Sequence, residues 1–263
     1  MIPSISAGPE EFTRAVTQAL LQEMEAFLAQ YRRETGIETD WKTPLLGFAG
    51  VDHPYIRSLR ELISPTHYLP EEILPGARTI LSYFVPFQED IGRGNIAGDV
   101  PSLTWTRAYT ETNRMFQRMN GHLQQAIESW GYRAASPENI GSLGPDRIYS
   151  NWSQRHIAYA AGLGTFGMNN MLITQDGCCG RFYSLVTDLP VLPGEPQKRE
   201  NCLYKREGKC GACIRRCPVG ALSAERPFDR ARCREQLCVH EAAYGERVCG
   251  KCTVGMPCTF QAP

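Results

Sequence analysis

The stretch GKCGACIRRCPVGAL (residues 208–222) decides how this chain is read, because its cysteines are spaced Cys210-x2-Cys213-x3-Cys217 and the last precedes a proline. It belongs to a longer series. Cys202 lies upstream, and Cys233, Cys238, Cys249, Cys252 and Cys258 follow. A 4Fe–4S cubane needs four thiolates converging from different directions. A C-x2-C loop wraps one corner, and a cysteine followed by proline turns the chain away toward a neighbouring cluster. The nine thiols in this series are enough for two such clusters, with one left over. A single four-thiolate zinc site from Cys210-x2-Cys213 and Cys249-x2-Cys252 is the rival reading. It leaves Cys202, Cys217, Cys233 and Cys258 unexplained.

From Cys210 onward the run is similar to the bacterial two-cluster ferredoxins, in which the cysteine before proline serves the other cluster. Cys202 stands further upstream than that family's first cysteine and needs a longer loop. The resemblance implies one cluster on Cys202, Cys210, Cys213 and Cys258, and a second on Cys217, Cys233, Cys249 and Cys252. Cys238 is then spare, or exchanges roles with Cys233. Between Lys198 and Cys252 stand thirteen Lys/Arg against seven Asp/Glu. All-thiolate clusters are net negative, so such cations offset their burial and raise their potential. Any one of these residues also reads simply as part of a solvated face.

The eleven cysteines are unevenly spread: none occurs before Cys178 and Cys179. That break, with the proline-containing VLPGEPQKRE (residues 191–200) as linker, divides the chain into residues 1–196 and 197–263. Lys+Arg and Asp+Glu balance at 28 each, which argues against a dedicated nucleic-acid binder. A tRNA partner is left open. No run approaches the ~18 apolar residues of a membrane span, and MIPSISAGPEEF has neither the basic nor the apolar region of a secretory signal. A cytoplasmic protein is expected, and in a reducing compartment thiols serve as ligands or catalysts more often than as disulfides.

In the first part, Phe12, Val16, Leu20, Met24, Phe27 and Tyr31 predict an amphipathic helix from Pro9 to about Thr35, stopped by Gly36. LPGARTILSYFVPF (residues 74–87) gives a turn and a buried strand over Thr79–Val85. Met115, Phe116, Met119, Leu123, Ile127 and Trp130 predict a second long helix from about Thr106 to Trp130. Ser153 caps a short helix that ends at Gly162. MLIT and RFYSLVT read as two strands joined by a turn that contains Cys178 and Cys179. The fold class is α+β, in α/β layers. No pair of the five histidines has ligand spacing, and the adjacent Cys178 and Cys179 cannot comfortably share one metal.

LPGARTILSYFVPF, YAAGLGTFGMNNMLIT (residues 159–174) and FYSLVTDLPV (residues 182–191), in that order ahead of the cysteine-rich tail, resemble the epoxyqueuosine reductase family. The likeness extends more distantly to the reductive dehalogenases. It covers roughly residues 70–258. It implies a nitroreductase-like, cobalamin-processing-type domain followed by the two-cluster ferredoxin-like domain, with cobalamin near the first cluster. The implied activity is that of an oxidoreductase acting on a small-molecule or corrinoid substrate, supplied by a low-potential donor such as ferredoxin or flavodoxin. The alternatives are an electron-transfer or corrinoid-reducing activator of another enzyme and a reductase using FMN. At the position of the family's proton-donating aspartate stands Ile148, and Met168 replaces a family lysine. Asp146, Tyr149 and Ser150 become the catalytic candidates. Asn151, Trp152, Arg155, Gly162, Gly164, Thr165, Phe166, Gly167, Met168, Asn169 and Asn170 are the candidates for holding the cofactor. Gly162, Gly164 and Gly167 permit close main-chain approach, either to a flat macrocycle or in ordinary turns.

Overall fold

The computed structural model describes residues 8–137 and 149–263. Helix α1 (Pro9–Thr35) leads to strand β1 (Leu45–Gly50) and three single-turn helices, α2 (Pro54–Arg57), α3 (Leu59–Leu62) and α4 (Pro70–Ile73). Strand β2 (Thr79–Pro86), α5 (Glu89–Gly94), the long α6 (Leu103–Ser129) and β3 (Ala134–Ala135) follow. Next come α7 (Gln154–Ala160), β4 (Thr165–Phe166), β5 (Leu172–Ile173) and β6 (Gly180–Thr187). The cysteine-rich tail carries α8 (Leu203–Glu207), α9 (Ala212–Arg216) and α10 (Arg230–Tyr244). No helix among the described residues is long and apolar enough to cross a membrane.

The main sheet has the order β1-β2-β6-β3, and each neighbouring pair is antiparallel. Every residue of β2 is buried, because helices cover both faces. Leu81, Tyr83 and Val85 point to the core shared with α1 and α6, while Ile80 points to a second core with Trp152, Ile157 and Ala160. This is the period-two alternation of a strand, hidden in the sequence because both faces are apolar. Several of the buried polar groups pair with one another. Tyr83 Oη donates to Asn120 Oδ1 at 2.7 Å, Trp152 Nε1 donates to Ser184 Oγ at 2.9 Å, and Ser184 Oγ donates to Gln154 Oε1 at 2.7 Å.

Helix α1 has its expected bounds. Glu10 and Glu11 lie in its first turn, Arg32 and Arg33 in its last, and Gly36 adopts a left-handed C-cap, so local charge and cap agree with the helix dipole. Leu28 is buried in the stripe where Phe27 was expected, and Phe27 is only partly buried. Helix α6 begins three residues earlier than expected, at Leu103. Ser102 Oγ accepts from the Trp105 N–H at 3.2 Å and so caps the helix ahead of its apolar stripe; an Ncap serine of this kind contributes about 1 kcal/mol. The two strands near Cys178 and Cys179 belong to different sheets: β5 pairs with β4, whereas β6 joins the main sheet.

Residues 191–200 carry no regular structure but are strapped down. Leu192 N–H donates to Thr13 Oγ1 at 2.8 Å and Gly194 N–H to Phe48 O at 2.8 Å. The end of the tail is stitched to the first part in turn. Cys178 N–H donates to Cys258 O at 3.0 Å and Cys179 N–H to Thr259 O at 3.0 Å. Asn95 Nδ2 donates to Cys249 O at 3.0 Å, and the buried Lys251 places Nζ at 2.8 Å from both Asn95 O and Ala97 O. Gly250 makes this approach possible. Its φ is +72°, and an added Cβ would lie 2.2 Å from Trp105 Cε2. Gly250→Ala is expected to cost about 1–3 kcal/mol in backbone strain and more in displaced ring packing. A lowered urea midpoint at unchanged m-value measures that loss.

Candidate functional site

The eight expected cysteines fall into two groups that line neighbouring cavities. Cys202 stands at the N-cap of α8 and Cys213 in the first turn of α9, with Cys210 between them in a left-handed conformation of φ 124°. With Cys258 they line one cavity, together with Gly167, Met168 and Ile173. Cys217, Cys233, Cys249 and Cys252 line a second, of about 240 Å³. Cys238, in α10, is exposed. Among the described residues no three His, Cys, Asp or Glu side chains close on a single-ion position; each quartet stands around a space instead. Burial and the neighbouring sulfurs of Cys258, Cys202 and Cys210 push the Cys213 thiol up to about 12. Burial likewise raises Cys252, Cys249 and Cys233. Four thiolates at such spacing repel one another unless iron neutralises them, so the donor set fits iron–sulfur clusters.

The second cavity continues into a third, of about 280 Å³, lined by Arg155, Asn169, Asn170, Phe228 and Arg230 among others. The two share Met171, Cys217, Cys233, Leu237, Arg247 and Cys252. On the other side, Phe87, Trp105, Tyr109, Gly180 and Arg181 contribute the wall. Apolar and aromatic surface with a few polar groups at its edge is the lining a flat cofactor with polar substituents requires. Arg155 Nη1 donates to Asn170 O at 2.6 Å, and Asn170 turns that carbonyl inward with φ 55°. Burial, then Arg230 and Arg181, lower the Arg155 pKa to about 10, while Cys252 and Cys233 act in the opposite direction.

The other candidates are distributed differently. Asp146 lies outside the described residues. Tyr149 is exposed beneath the Arg230 guanidinium, 5.1 Å from its ring centroid. Ser150 Oγ accepts from the Trp152 N–H and donates to Trp152 O, and Asn151 O accepts from the Tyr68 N–H. Trp152 is enclosed in the core. Thr165 Oγ1 accepts from the Asn201 N–H at 2.7 Å, and the Phe166 ring rests on His156 with centroids 4.7 Å apart. The close approach at Gly162 and Gly164 is to the protein's own main chain: added Cβ atoms would meet Glu195 O at 2.6 Å and Ile173 O at 2.2 Å. Asn169 bridges the quartets, lining the first cavity while Nδ2 donates to Cys252 O at 2.8 Å.

Tyr109 was not singled out in the sequence. Arg181, the second residue of β6, stacks over its ring at 4.1 Å and donates to Asn113 Oδ1, one turn along α6. The Arg181 charge lowers the Tyr109 pKa against the opposing effect of burial, and hydrogen bonds to Arg181 and Asn113 add to the lowering. A phenol that is more acidic than usual, on the wall of a cavity that also holds a cysteine quartet, is equipped to donate a proton.

Two histidines, His156 within α7 and His67 against the start of that helix, are expected to make the fold acid-sensitive. His67 Nε2 accepts from the Ser153 N–H at 3.0 Å, which leaves its Nδ1–H to donate to Tyr68 O at 2.8 Å. Burial lowers the pKa of His67 below 6.5 and takes that of His156 to about 4, with Arg155 repelling the second. Both rings are thus held neutral in the folded state and gain protons on unfolding below pH 6.5. Stability is expected to be full above that value and to fall as pH drops toward about 4. Urea midpoints across this range measure the loss, and His156→Gln should flatten the slope.

A curated epoxyqueuosine reductase from Vibrio cholerae is 26% identical over 214 residues, 74% of this chain and 53% of that protein. The chain is similar to the epoxyqueuosine reductases. The solved epoxyqueuosine reductase of Streptococcus thermophilus matches 91% of this epoxyqueuosine reductase-like chain and 67% of its own, with a TM-score of 0.53 at 16% identity. That of Bacillus subtilis matches 91% of this chain and 66% of its own, with a TM-score of 0.51 at 21% identity. These structures show a shared epoxyqueuosine reductase-like fold. The chain spans about half the length of the Vibrio relative. No family model matches it.

Proposed function

We propose that this chain is an iron–sulfur oxidoreductase that binds a corrinoid in the cavity beside its second cysteine quartet. The observation that carries the reading is the division of eight cysteines into two quartets on adjoining cavities, one of them open to Arg155, Tyr109 and Arg181. Cys202, Cys210, Cys213 and Cys258 would hold one 4Fe–4S cluster, and Cys217, Cys233, Cys249 and Cys252 the other. When bound, the clusters supply low-potential electrons and the corrinoid a reducible cobalt.

The chain's own residues have separate tasks in this reading. Arg155 offsets negative charge at the second quartet. Phe87, Trp105 and Met171 exclude water from one wall. Tyr109 Oη delivers a proton, and Arg181 stabilises the phenolate left behind. The reductant is an external low-potential carrier of the ferredoxin or flavodoxin class.

Oxygen-free protein, reconstituted with iron and sulfide, tests the proposal. Stoichiometric iron and acid-labile sulfide, with cluster EPR signals on reduction, are expected, followed by a saturable spectral change on titration with cobalamin. Colourless protein would remove the iron–sulfur half of the proposal. A cluster-loaded protein that leaves the cobalamin spectrum unchanged would remove the corrinoid half.

A further inference from the structure

Of the eight quartet cysteines, Cys210 alone is exposed; the others are buried or half-buried. The main chain brings it to the surface. Gly208 closes α8 in the left-handed region at φ 69°, Gly211 opens α9 at φ 72°, and Cys210 between them has φ 124°. Positive charge collects around this loop. Between Tyr204 and Cys217 stand Lys205, Arg206, Lys209, Arg215 and Arg216 against one carboxylate, Glu207. That carboxylate is shared, with Arg206 Nε at 3.0 Å and Lys209 Nζ at 3.9 Å. Arg215 Nη1 donates to Cys210 O at 2.9 Å. Lys205 is exposed, and the Lys209 side chain is 81% exposed. Tyr204 and the exposed Pro257 line the first cavity together with Cys210. The face is thus a small apolar mouth with cations at its rim and a quartet sulfur at its surface.

We propose that this face is the docking site of an acidic electron-carrier protein, which delivers electrons to the first quartet beside Cys210. The inference rests on the two-cluster reading above. Electron transfer between proteins requires the two centres to come close, and the exposed Cys210 offers a carrier a shorter approach than the half-buried cysteines of the second quartet. Redox encounters bury little surface, under about 1,200 Å², so charge carries much of the recognition. A basic rim steers an acidic partner and raises its association rate. Each encounter oxidises the carrier by one electron and reduces the cluster by one, with no bond made or broken. The gathering of the cations about a quartet sulfur favours a redox partner over a nucleic acid, which has no use for that sulfur.

Flavodoxin, an acidic low-potential carrier, is the probe. Three reconstituted proteins are compared: the wild type, Lys205→Glu/Lys209→Glu, and Arg14→Glu/Arg33→Glu, which makes the same change of charge on α1. Binding is read by fluorescence anisotropy of labelled oxidised flavodoxin, and electron transfer by stopped-flow mixing with reduced flavodoxin. At low ionic strength Lys205→Glu/Lys209→Glu is expected to weaken binding and slow the second-order reduction by about tenfold or more, with the α1 variant matching the wild type. At 1 M salt, where the Debye length is about 3 Å, the difference should close. Dithionite, which needs no docking face, should give the same cluster EPR signals in all three. Lys205→Gln/Lys209→Gln, expected to show a smaller loss in the same direction, keeps the test readable if the reversed pair fails to fold. Wild-type protein that does not bind flavodoxin, binding unchanged in Lys205→Glu/Lys209→Glu, or an equal loss in the α1 variant would overturn the docking site. So would a reversed pair that keeps flavodoxin but loses a stem-loop RNA, which would make the face a nucleic-acid surface. Wild-type protein that takes up no clusters would instead defeat the underlying two-cluster proposal.

Discussion

Cys252→Ala is expected to halve the iron and sulfide content of reconstituted protein and to abolish reductase turnover, while the other cluster's EPR signal survives. In the two-cluster reading Cys252 is the most informative position to change because its surroundings combine all the local costs. Its thiol is raised by burial first and then by Cys249, Cys233, Cys217 and Cys213. It stands where the second and third cavities meet, and its carbonyl accepts from Asn169. Loss of a structural metal site removes folding free energy along with the metal, so the tail should also unfold at lower urea. Iron and sulfide analysis with EPR checks the first part, and circular dichroism during urea titration checks the second. Cys238→Ala is the matched control, because that side chain is exposed and lines neither cavity. If Cys252→Ala retained full iron while Cys238→Ala lost half, the assignment of the second quartet would be wrong.

The second large effect concerns proton delivery. Tyr109→Phe removes only the phenolic oxygen and should lower turnover by about 10²–10⁴-fold, the range for loss of a general acid. Cluster content and corrinoid affinity should not change. Arg181→Gln keeps a donor for Asn113 but removes the charge that lowers the Tyr109 pKa. A donor with a raised pKa keeps its proton to higher pH, so the basic limb of the rate profile should move upward in Arg181→Gln, and the rate on the plateau should fall. A Tyr109→Phe enzyme that turns over like the wild type would exclude the phenol, and the proton would then come from another group or from water.

The parts of this molecule that were legible in the sequence are those whose determinants are local. Helix α1 could be read to the residue because its proline, its charged ends, its apolar stripe and Gly36 all act within a few residues of one another. The cysteines that line the two cavities could be picked out as a group because they stand at close spacings in one short stretch of chain. The start of α6 was missed because a single serine, outside the apolar stripe, supplies the cap. The pairing of β6 was missed because its partners β2 and β3 are distant in the chain, and nothing in MLIT distinguishes them from nearer neighbours. Tyr109 was invisible for the same reason: it reads as one more aromatic on a helix until Arg181 is brought over its ring.

The grip of Lys251 and Asn95 couples the two halves of the protein at one corner. Lys251 has its ammonium group on two carbonyls of the segment between α5 and α6, and Asn95 reaches back to Cys249. If Cys249 and Cys252 hold a cluster as proposed, its oxidative loss would free the turn that holds both contacts, and a desolvated ammonium does not keep its place without them. Oxygen damage at the metal would then spread outward to loosen the Trp105 wall beside Tyr109, so that an inactivated molecule also becomes a preferred target for proteolysis.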